Sequence, residues 1–344
     1  MGRQFIRKFF SSICVVVFLI SFFAFPASSA DKPIKWRMAN LYPRGVAYGP
    51  VYQEFCDAVG RMSGGRLVID AIFDGEGVNA TEVWSAVKSG IVEMGAPYMA
   101  LHAGEFPAGV VGIGLPGGPS DIGELFALWH EGGWLDIMNK AAEKHGIYCL
   151  AEAMQPGTYV LTKKPINNLD DLKGMKIRAP GAYGKMLRQL GATPVVIAFA
   201  EVYTSLATGV VDGVDGCNLV DHRDGKFYEV AKYMYPLPLT GAQVSPLIVN
   251  LKAYNSLPED LKEILKTASY YHGFLSAYKS VVWEKEALQE MISKGLKMSP
   301  APSDADKKKW LDAGIAIWPE YEAADATSKQ MIEAQRVFMK KMGK

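Results

Sequence analysis

Beyond residue 30 the chain alternates short apolar runs with stretches of helical spacing. IKWRMAN (residues 34–40) alternates in and out, which predicts a first strand. Residues 51–62 carry apolar positions at helical spacing and stop at Ser63-Gly64-Gly65. LVIDAIF (67–73) predicts a second strand. Asn79 is placed to cap a helix, with Glu82 three residues on as in a capping box and Gly90 as its stop. Strands alternating with helices predict a mainly parallel sheet with helices on its faces.

That unit recurs. WSAVKSGIVE (84–93) and YTSLATGVVD (203–212) each run aromatic, five residues, glycine, two apolar residues, acid. Each predicts helix, tight turn and strand, and two copies imply two lobes of similar build. The alternative is chance recurrence of a common helix-glycine-strand pattern. The loops that follow, Pro97-Tyr98-Met99 and Asp215-Gly216-Cys217-Asn218, become counterparts. Ligands of open α/β sheets bind beyond the carboxyl ends of strands, so both loops are expected at one cleft. The last third predicts a helix of about 35 residues. Ser256 is its expected cap, Pro258 and Glu259 lie in its first turn, and Gly273 is a candidate kink. Such a helix can brace both lobes or carry a dimer face. Ser303 is expected to cap a further helical stretch to the C-terminus.

The N-terminus changes the compartment. Arg3, Arg7 and Lys8 precede an apolar run from Ile13 to Phe25, then Pro26 and the small residues Ala27-Ser28-Ser29-Ala30. That is a secretion signal with cleavage expected after Ala30, and the apolar run falls short of the roughly 20 residues of a membrane span. Removing it takes the formal charge from +1 to −2, leaving no electrostatic footprint for nucleic acid or membrane. Cys56, Cys149 and Cys217 fit no zinc or redox spacing and read as buried free thiols. The five histidines are scattered without a HExxH pattern.

Candidate chemistry gathers between residues 155 and 218. Arg178 follows Met175-Lys176-Ile177 and precedes Ala179-Pro180-Gly181, so it sits at a strand's end. Its forked donors match a carboxylate; the alternative is a surface arginine paired to the protein's own acid. Asp215, with Gly216 and Asn218, can help hold a hard cation such as Na⁺ or Ca²⁺, or can form a turn bonded to its own backbone. Tyr98 offers a hydroxyl and a ring wall, and Gln155 an amide beside Pro156-Gly157. GIGLPG (112–117) fits a dinucleotide fingerprint on paper, but Pro116 blocks the helix start that such a site needs. Its glycines read instead as a tight loop connecting lobes. No nucleophile motif or P-loop is present.

WSAVKSGIVEMG, LDDLKGMKIRAPG with LGATPVV, and AEVYTSLATGVVDG together carry a resemblance over nearly all of the chain beyond the signal. The chain resembles the DctP-type solute receptors of tripartite ATP-independent periplasmic (TRAP) transporters. FALWHEGGWLDIMNKAAEKHGIYCL and VAKYMYPLPL are similar to the branch that takes 2-oxo acids. The resemblance implies an α/β, two-lobe periplasmic binding protein, type II-like, with a long C-terminal helix spanning both lobes. It implies that Arg178 salt-bridges the ligand carboxylate, that Tyr98 lines the pocket, and that Asp215 helps bind an ion bridging to the ligand. A glutamine ligand of that branch aligns nearer Gly157 than Gln155. Two departures stand out. Gly216 replaces a tryptophan of that branch, which would widen the pocket, and only Thr240 or Gln243 stands where a second acidic ligand is expected.

The expected organisation is a signal peptide (1–30), lobe I (31–152), lobe II (153–240), and a return strand with bracing helices (241–344). The expected function is capture without chemistry. A small 2-oxo or 2-hydroxy carboxylate, bulky ones included, binds Arg178, Tyr98, Gln155, Gly216 and Asn218. An ion on Asp215 and the Gly216 backbone is optional. The closed receptor then docks on the transporter's membrane subunits. A homodimer through the long helix is compatible with this. The alternative is a sensory receptor read by a membrane kinase, and a third reading is a secreted enzyme acting on an acid.

Overall fold

Two sheets divide the chain, and the polypeptide crosses between them twice before a long helix runs back. The computed structural model describes residues 32–197 and 199–344, and of 151–154 the backbone alone. The expected secretion signal lies outside the described residues.

The first stretch runs β1 (Ile34–Asn40), α1 (Gly49–Met62), β2 (Leu67–Ile72), α2 (Val83–Ser89), β3 (Met94–Ala96), α3 (Pro107–Ile113), α4 (Ile122–His130), α5 (Trp134–Ala142) and β4 (Ile147–Pro156). The second runs β5 (Tyr159–Thr162), β6 (Lys176–Arg178), α6 (Gly181–Gln189), β7 (Thr193–Val195), α7 (Val202–Thr208), β8 (Gly213–Val214), α8 (Leu219–Asp224) and β9 (Tyr233–Pro238). The third returns through β10 (Ala242–Asn250), α9 (Leu251–Ser256), α10 (Glu259–Ser293), β11 (Lys297–Met298), α11 (Asp304–Ile315), α12 (Trp318–Glu322) and α13 (Ala326–Lys341).

The first sheet has the order β2-β1-β3-β10-β4 and the second β11-β9-β5-β8-β6-β7. In the first, β1 and β3 are parallel and β10 runs antiparallel to both β3 and β4. In the second, β6 is parallel to β7 and β8. β4 stays paired to β10 through Pro156, so the boundary expected at residues 152–153 falls inside a strand. The crossings lie between Pro156 and Tyr159 and between Pro238 and Ala242.

The internal repeat is structural. Gly90 and Gly209 end α2 and α7 in the left-handed conformation, with φ of 77° and 81°. Their acids do the same job: Glu93 accepts the Arg37 backbone N–H at 2.8 Å and Asp212 that of Lys176 at 2.9 Å. Each acid thereby ties its own strand to the parallel neighbour, β1 or β6. The aromatics differ, since Trp84 is wholly buried and Tyr203 is exposed.

The first core gathers Trp84, Trp129, Trp134 and Phe106 between that sheet and its helices. The Trp134 indole N–H reaches Met331 O on α13 at 2.8 Å, tying the C-terminal helix to this core. Two further clusters flank the second sheet. α10 is one unbroken helix through Gly273, packed on β4 and α1 and then on α8. Ser269, Gly273, Ser276 and Ser280 are buried on it, and such small residues let a helix lie close to a sheet. The Ser276 and Ser280 hydroxyls donate back to carbonyls three residues earlier, which removes the cost of burying them.

Several local expectations are corrected. Ser256 ends α9 rather than capping α10, its hydroxyl donating to Ala253 O at 2.7 Å, and Pro258 holds the α10 cap position. Asn79 stands four residues ahead of α2, but half of the expected box survives, its N–H and amide meeting Glu82 Oε2. The glycines of residues 112–117 join α3 to α4 and connect no two sheets. Ser303 caps α11 as expected, accepting Asp306 N–H at 3.1 Å. Cys56, Cys149 and Cys217 are buried and free.

Candidate functional site

β6 ends at Arg178 and β8 ends one residue before Asp215, with Arg178 registered against Val214. The two residues therefore leave the carboxyl edge of the sheet side by side. The Asp215 backbone N–H donates to Arg178 O at 2.7 Å, and Arg178 Nη1 donates to Asp215 O at 3.0 Å. Arg178 Nε donates to Ile197 O at 3.0 Å, just beyond β7. Three neighbouring strand ends thus fix the guanidinium.

Arg178 is 7% exposed, and among the described residues it has no salt-bridge partner and no hydrogen-bond partner on Nη2. Burying an ion costs several kcal/mol. Hydrogen bonds from a charged donor return about 1.5–3 kcal/mol each. Two carbonyls offset much of that cost but leave the positive charge unanswered. No counter-charge answers it among the described residues.

Acceptors and donors without partners surround it. Asp215 is fully buried, and neither carboxylate oxygen has a hydrogen-bond partner. Burial pushes its carboxyl up to about 7, while the Gly216 N–H, the Thr158 hydroxyl and the Arg178 charge pull partly back. None of those groups completes a hydrogen bond to the carboxylate, and the Thr158 hydroxyl is itself unpartnered. Asn218 Oδ1 caps α8 by accepting Asp221 N–H at 2.9 Å, which leaves its buried Nδ2 unpartnered.

From the other sheet, Tyr98 stands half-buried at the end of β3 and packs on the first core. Its phenol lies within electrostatic reach of Arg178, Cys217, Asp215 and Asp221, and burial, partly countered by Arg178, raises its pKa. The two counterpart loops meet, as the repeat implied. Gln155 pairs across β4 and β10 with Gln243 and donates to the Tyr42 hydroxyl at 2.8 Å. Gln243 accepts from Tyr183 at 3.3 Å. Gln155 therefore orients Tyr42.

Gly216 has φ 81°, and a Cβ there would lie 2.7 Å from Pro180 Cδ. The space expected to open at this glycine is occupied by Pro180. Beside Tyr98, Pro180 and Tyr183 only a cavity of about 10 Å³ remains. A larger groove of about 480 Å³ lies elsewhere, between α10 and the crossing segments, bordered by Pro156, Tyr159, Gly241, Val281 and Lys285. It is open and mostly apolar and does not include Arg178. Unpartnered buried polar groups, rather than volume, distinguish the surroundings of Arg178.

Sequence reasoning missed four residues here. Thr158 and Tyr42 gave no signal. Asp221 sits half-buried in the first turn of α8, its carboxyl pushed by burial up to about 7. The spacing Asn218-x-x-Asp221 resembles a capping pattern and marks that helix start. Glu284 on α10 accepts the Leu219 and Val220 N–H groups at 3.2 and 3.1 Å. An acid on the buried stripe of a long helix was its legible sign.

Among the described residues no three His, Cys, Asp or Glu side chains converge to hold an ion. Asp215 offers two free oxygens, but Ca²⁺ takes 6–8 oxygen ligands with several carboxylates among them. Thr240 and Gln243 stand where a second acid was expected. The protein's own donors do not form such a set.

Residues 41–325 match the bacterial extracellular solute-binding protein family 7, DctP. A monocarboxylate 2-oxoacid-binding periplasmic protein of Nostoc is 27% identical over 316 residues, 90% of this chain and 85% of that one. A TRAP periplasmic solute-binding protein from Colwellia psychrerythraea, with bound calcium and pyruvate, superposes with a TM-score of 0.83 at 26% identity, covering 90% of this chain and 95% of that one. One from Pseudoalteromonas atlantica, with bound sodium and pyruvate, gives 0.82 at 26% identity over the same shares.

Proposed function

This chain belongs to the bacterial extracellular solute-binding proteins of family 7, a receptor and not an enzyme, and from that premise we propose that it captures a small organic acid by its carboxylate on Arg178. The observation that carries the reading is a buried guanidinium, preset by Ile197 O and Asp215 O, that lacks a carboxylate among the described residues. The similar Colwellia and Pseudoalteromonas proteins hold pyruvate, and the Nostoc relative is named for 2-oxo acids, which supports a 2-oxo or 2-hydroxy carboxylate as the ligand.

We propose that residues up to Pro156, with β10, form one lobe and residues 159–238 the other, hinged at the two crossings and braced by α10. Tyr98 comes from the first lobe and Arg178, Asp215, Gly216 and Asn218 from the second; Gln155 acts through Tyr42. Closure brings them together and removes water, which strengthens the charged contacts. The protein is exported, cleaved after Ala30, and hands its ligand to TRAP membrane subunits. No helix among the described residues is long and apolar enough to cross a membrane. Asp215 and the Gly216 backbone are the donors an ion would meet; two relatives bind calcium or sodium beside pyruvate, but no ion is required here.

α10 carries an exposed stripe of Tyr270, Tyr271, Phe274, Tyr278, Val281 and Val282. We propose that a second copy of this chain covers it.

The test of capture is thermal unfolding against a panel of 2-oxo and 2-hydroxy acids. A ligand that binds only the native state raises stability by RT ln(1 + [L]/Kd). A shift with one acid, lost in Arg178→Ala, supports the reading. A shift that survives Arg178→Ala removes it.

A further inference from the structure

Most buried polar groups in proteins find partners, so several unpartnered ones in one place describe what is meant to lie there. Around Arg178 these are both Asp215 oxygens, Asn218 Nδ2, the Thr158 hydroxyl and, beyond Tyr183, the Thr240 hydroxyl. All belong to side chains at most 4% exposed.

Their chemistry is unequal. Asn218 and Arg178 offer donors, and the threonines can donate or accept. Ionised Asp215 only accepts. A ligand whose polar atoms near the carboxylate are all acceptors, as in a 2-oxo acid, satisfies the donors and sets lone pairs against Asp215. In the calcium- and sodium-bound relatives a cation accompanies the ligand. Here no cluster of three His, Cys, Asp or Glu side chains stands among the described residues to complete an ion shell. A ligand hydroxyl supplies what the ion would otherwise supply, a positive end directed at the carboxylate. Because Arg178 Nη1 holds the backbone oxygen of Asp215 itself, that hydroxyl must lie close to the ligand's carboxylate.

Resting on the carboxylate reading of Arg178, we propose that this receptor selects a hydroxy acid whose hydroxyl, close to the carboxylate, donates directly to Asp215 without an intervening ion. The charged groups facing Asp215 are few. Arg178 approaches from β6, Tyr98 from the loop after β3, Tyr183 from α6, and Cys217 from its own loop.

The experiment is isothermal titration of the secreted protein with matched pairs, lactate against pyruvate and 2-hydroxyisovalerate against 2-oxoisovalerate, in EDTA and in calcium. We expect the hydroxy acid of at least one pair to bind about tenfold tighter in EDTA, the scale of one hydrogen bond to a charged group. Asp215→Ala removes the preference, while thermal melts confirm that the variant folds. An oxo acid that binds as tightly in EDTA, hydroxy-acid binding that needs calcium, or a preference that survives Asp215→Ala overturns the proposal. Arg178→Ala separates the two levels. If it leaves binding intact, the carboxylate reading itself fails; if it abolishes binding of an oxo-preferring protein, only the hydroxyl inference fails.

Discussion

Arg178 and Asp215 are locked reciprocally. The Asp215 N–H donates to Arg178 O at 2.7 Å, and Arg178 Nη1 donates back to Asp215 O at 3.0 Å. With Nε on Ile197 O, the planar fork is set before any ligand arrives, so little rotamer entropy remains to be lost on binding. A lysine has one nitrogen for these two carbonyls and the ligand. Removing one partner of a buried charge pair costs about 2–5 kcal/mol. Arg178→Lys is therefore expected to lose about 2 kcal/mol of ligand affinity or more, and Arg178→Ala the full range. Calorimetry on folded variants decides, and a lysine variant that binds normally shows that the fork is not needed.

Gly216 is fixed by conformation and by contact. Its φ of 81° is strained for any L side chain, and a Cβ would stand 2.7 Å from Pro180 Cδ and 3.3 Å from Arg178 Nη1. Pro180 is a ring on the backbone and yields little. Gly216→Ala is expected to destabilise the protein by about 1–3 kcal/mol and to weaken binding by displacing the guanidinium. Urea unfolding measures the first, and an unchanged midpoint means that the loop relaxes freely.

The repeat made the counterpart loops legible, because helix, left-handed glycine and strand leave a fixed trace in sequence. Arg178 and Asp215 stood out because each lies just past an apolar strand. The actual reach of Gln155 was not legible. Its partner Tyr42 lies 113 residues away, and only tertiary packing joins them. Thr158 carried no signal either, because only the fold sets its burial. The start of α10 was misread at Ser256 because a serine ahead of Pro258 and Glu259 has cap chemistry, yet residues 251–256 pack as a short helix of their own. The boundary expected after residue 152 falls short of the crossing because β4 stays paired to β10 through Pro156.

The aromatic stripe on α10 predicts association. Phe274 and Tyr278 are 70% and 63% exposed and lie four residues apart on one face. A charge at their centre opposes burial against a second copy. Phe274→Glu is expected to shift the protein to a monomer in sedimentation while leaving ligand affinity intact. A wild type that is already monomeric at high concentration removes the dimer reading.

Glu284 joins the long helix to the binding loop. It accepts the N–H groups of Leu219 and Val220, just after Asn218. Burial pushes its carboxyl up to about 8, so at pH 7 it is largely the neutral acid. Leu219 N–H meets Oε2 and Val220 N–H meets Oε1, so a glutamine keeps one acceptor and turns its NH2 on the other donor. Glu284→Gln is expected to cost about 1–3 kcal/mol for the one donor it leaves unpaired. Glu284→Ala leaves two buried donors unpaired and is expected to cost about 1–3 kcal/mol for each. Equal loss in both variants shows that the carboxylate charge is required after all.

These carboxyls also set how stability responds to pH. Asp215 and Asp221 are raised to about 7 and Glu284 to about 8 in the folded protein, whereas unfolded carboxyls ionise near 4. Between pH 6.5 and 8 the folded state therefore holds more protons than the unfolded state, and stability falls as pH rises. His222 and His272 are lowered by burial to about 4. Their effect has the opposite sign but is already half gone at the unfolded value of about 6.5 and fades through the window, so the three carboxyls set the direction. The buried thiols reinforce the trend only above about pH 8.5. Urea unfolding of the ligand-free protein at pH 6.5, 7.25 and 8.0 is expected to give a falling midpoint, with a smaller fall in Asp215→Asn. A flat or rising midpoint means that these carboxyls are ionised in the folded protein at neutral pH.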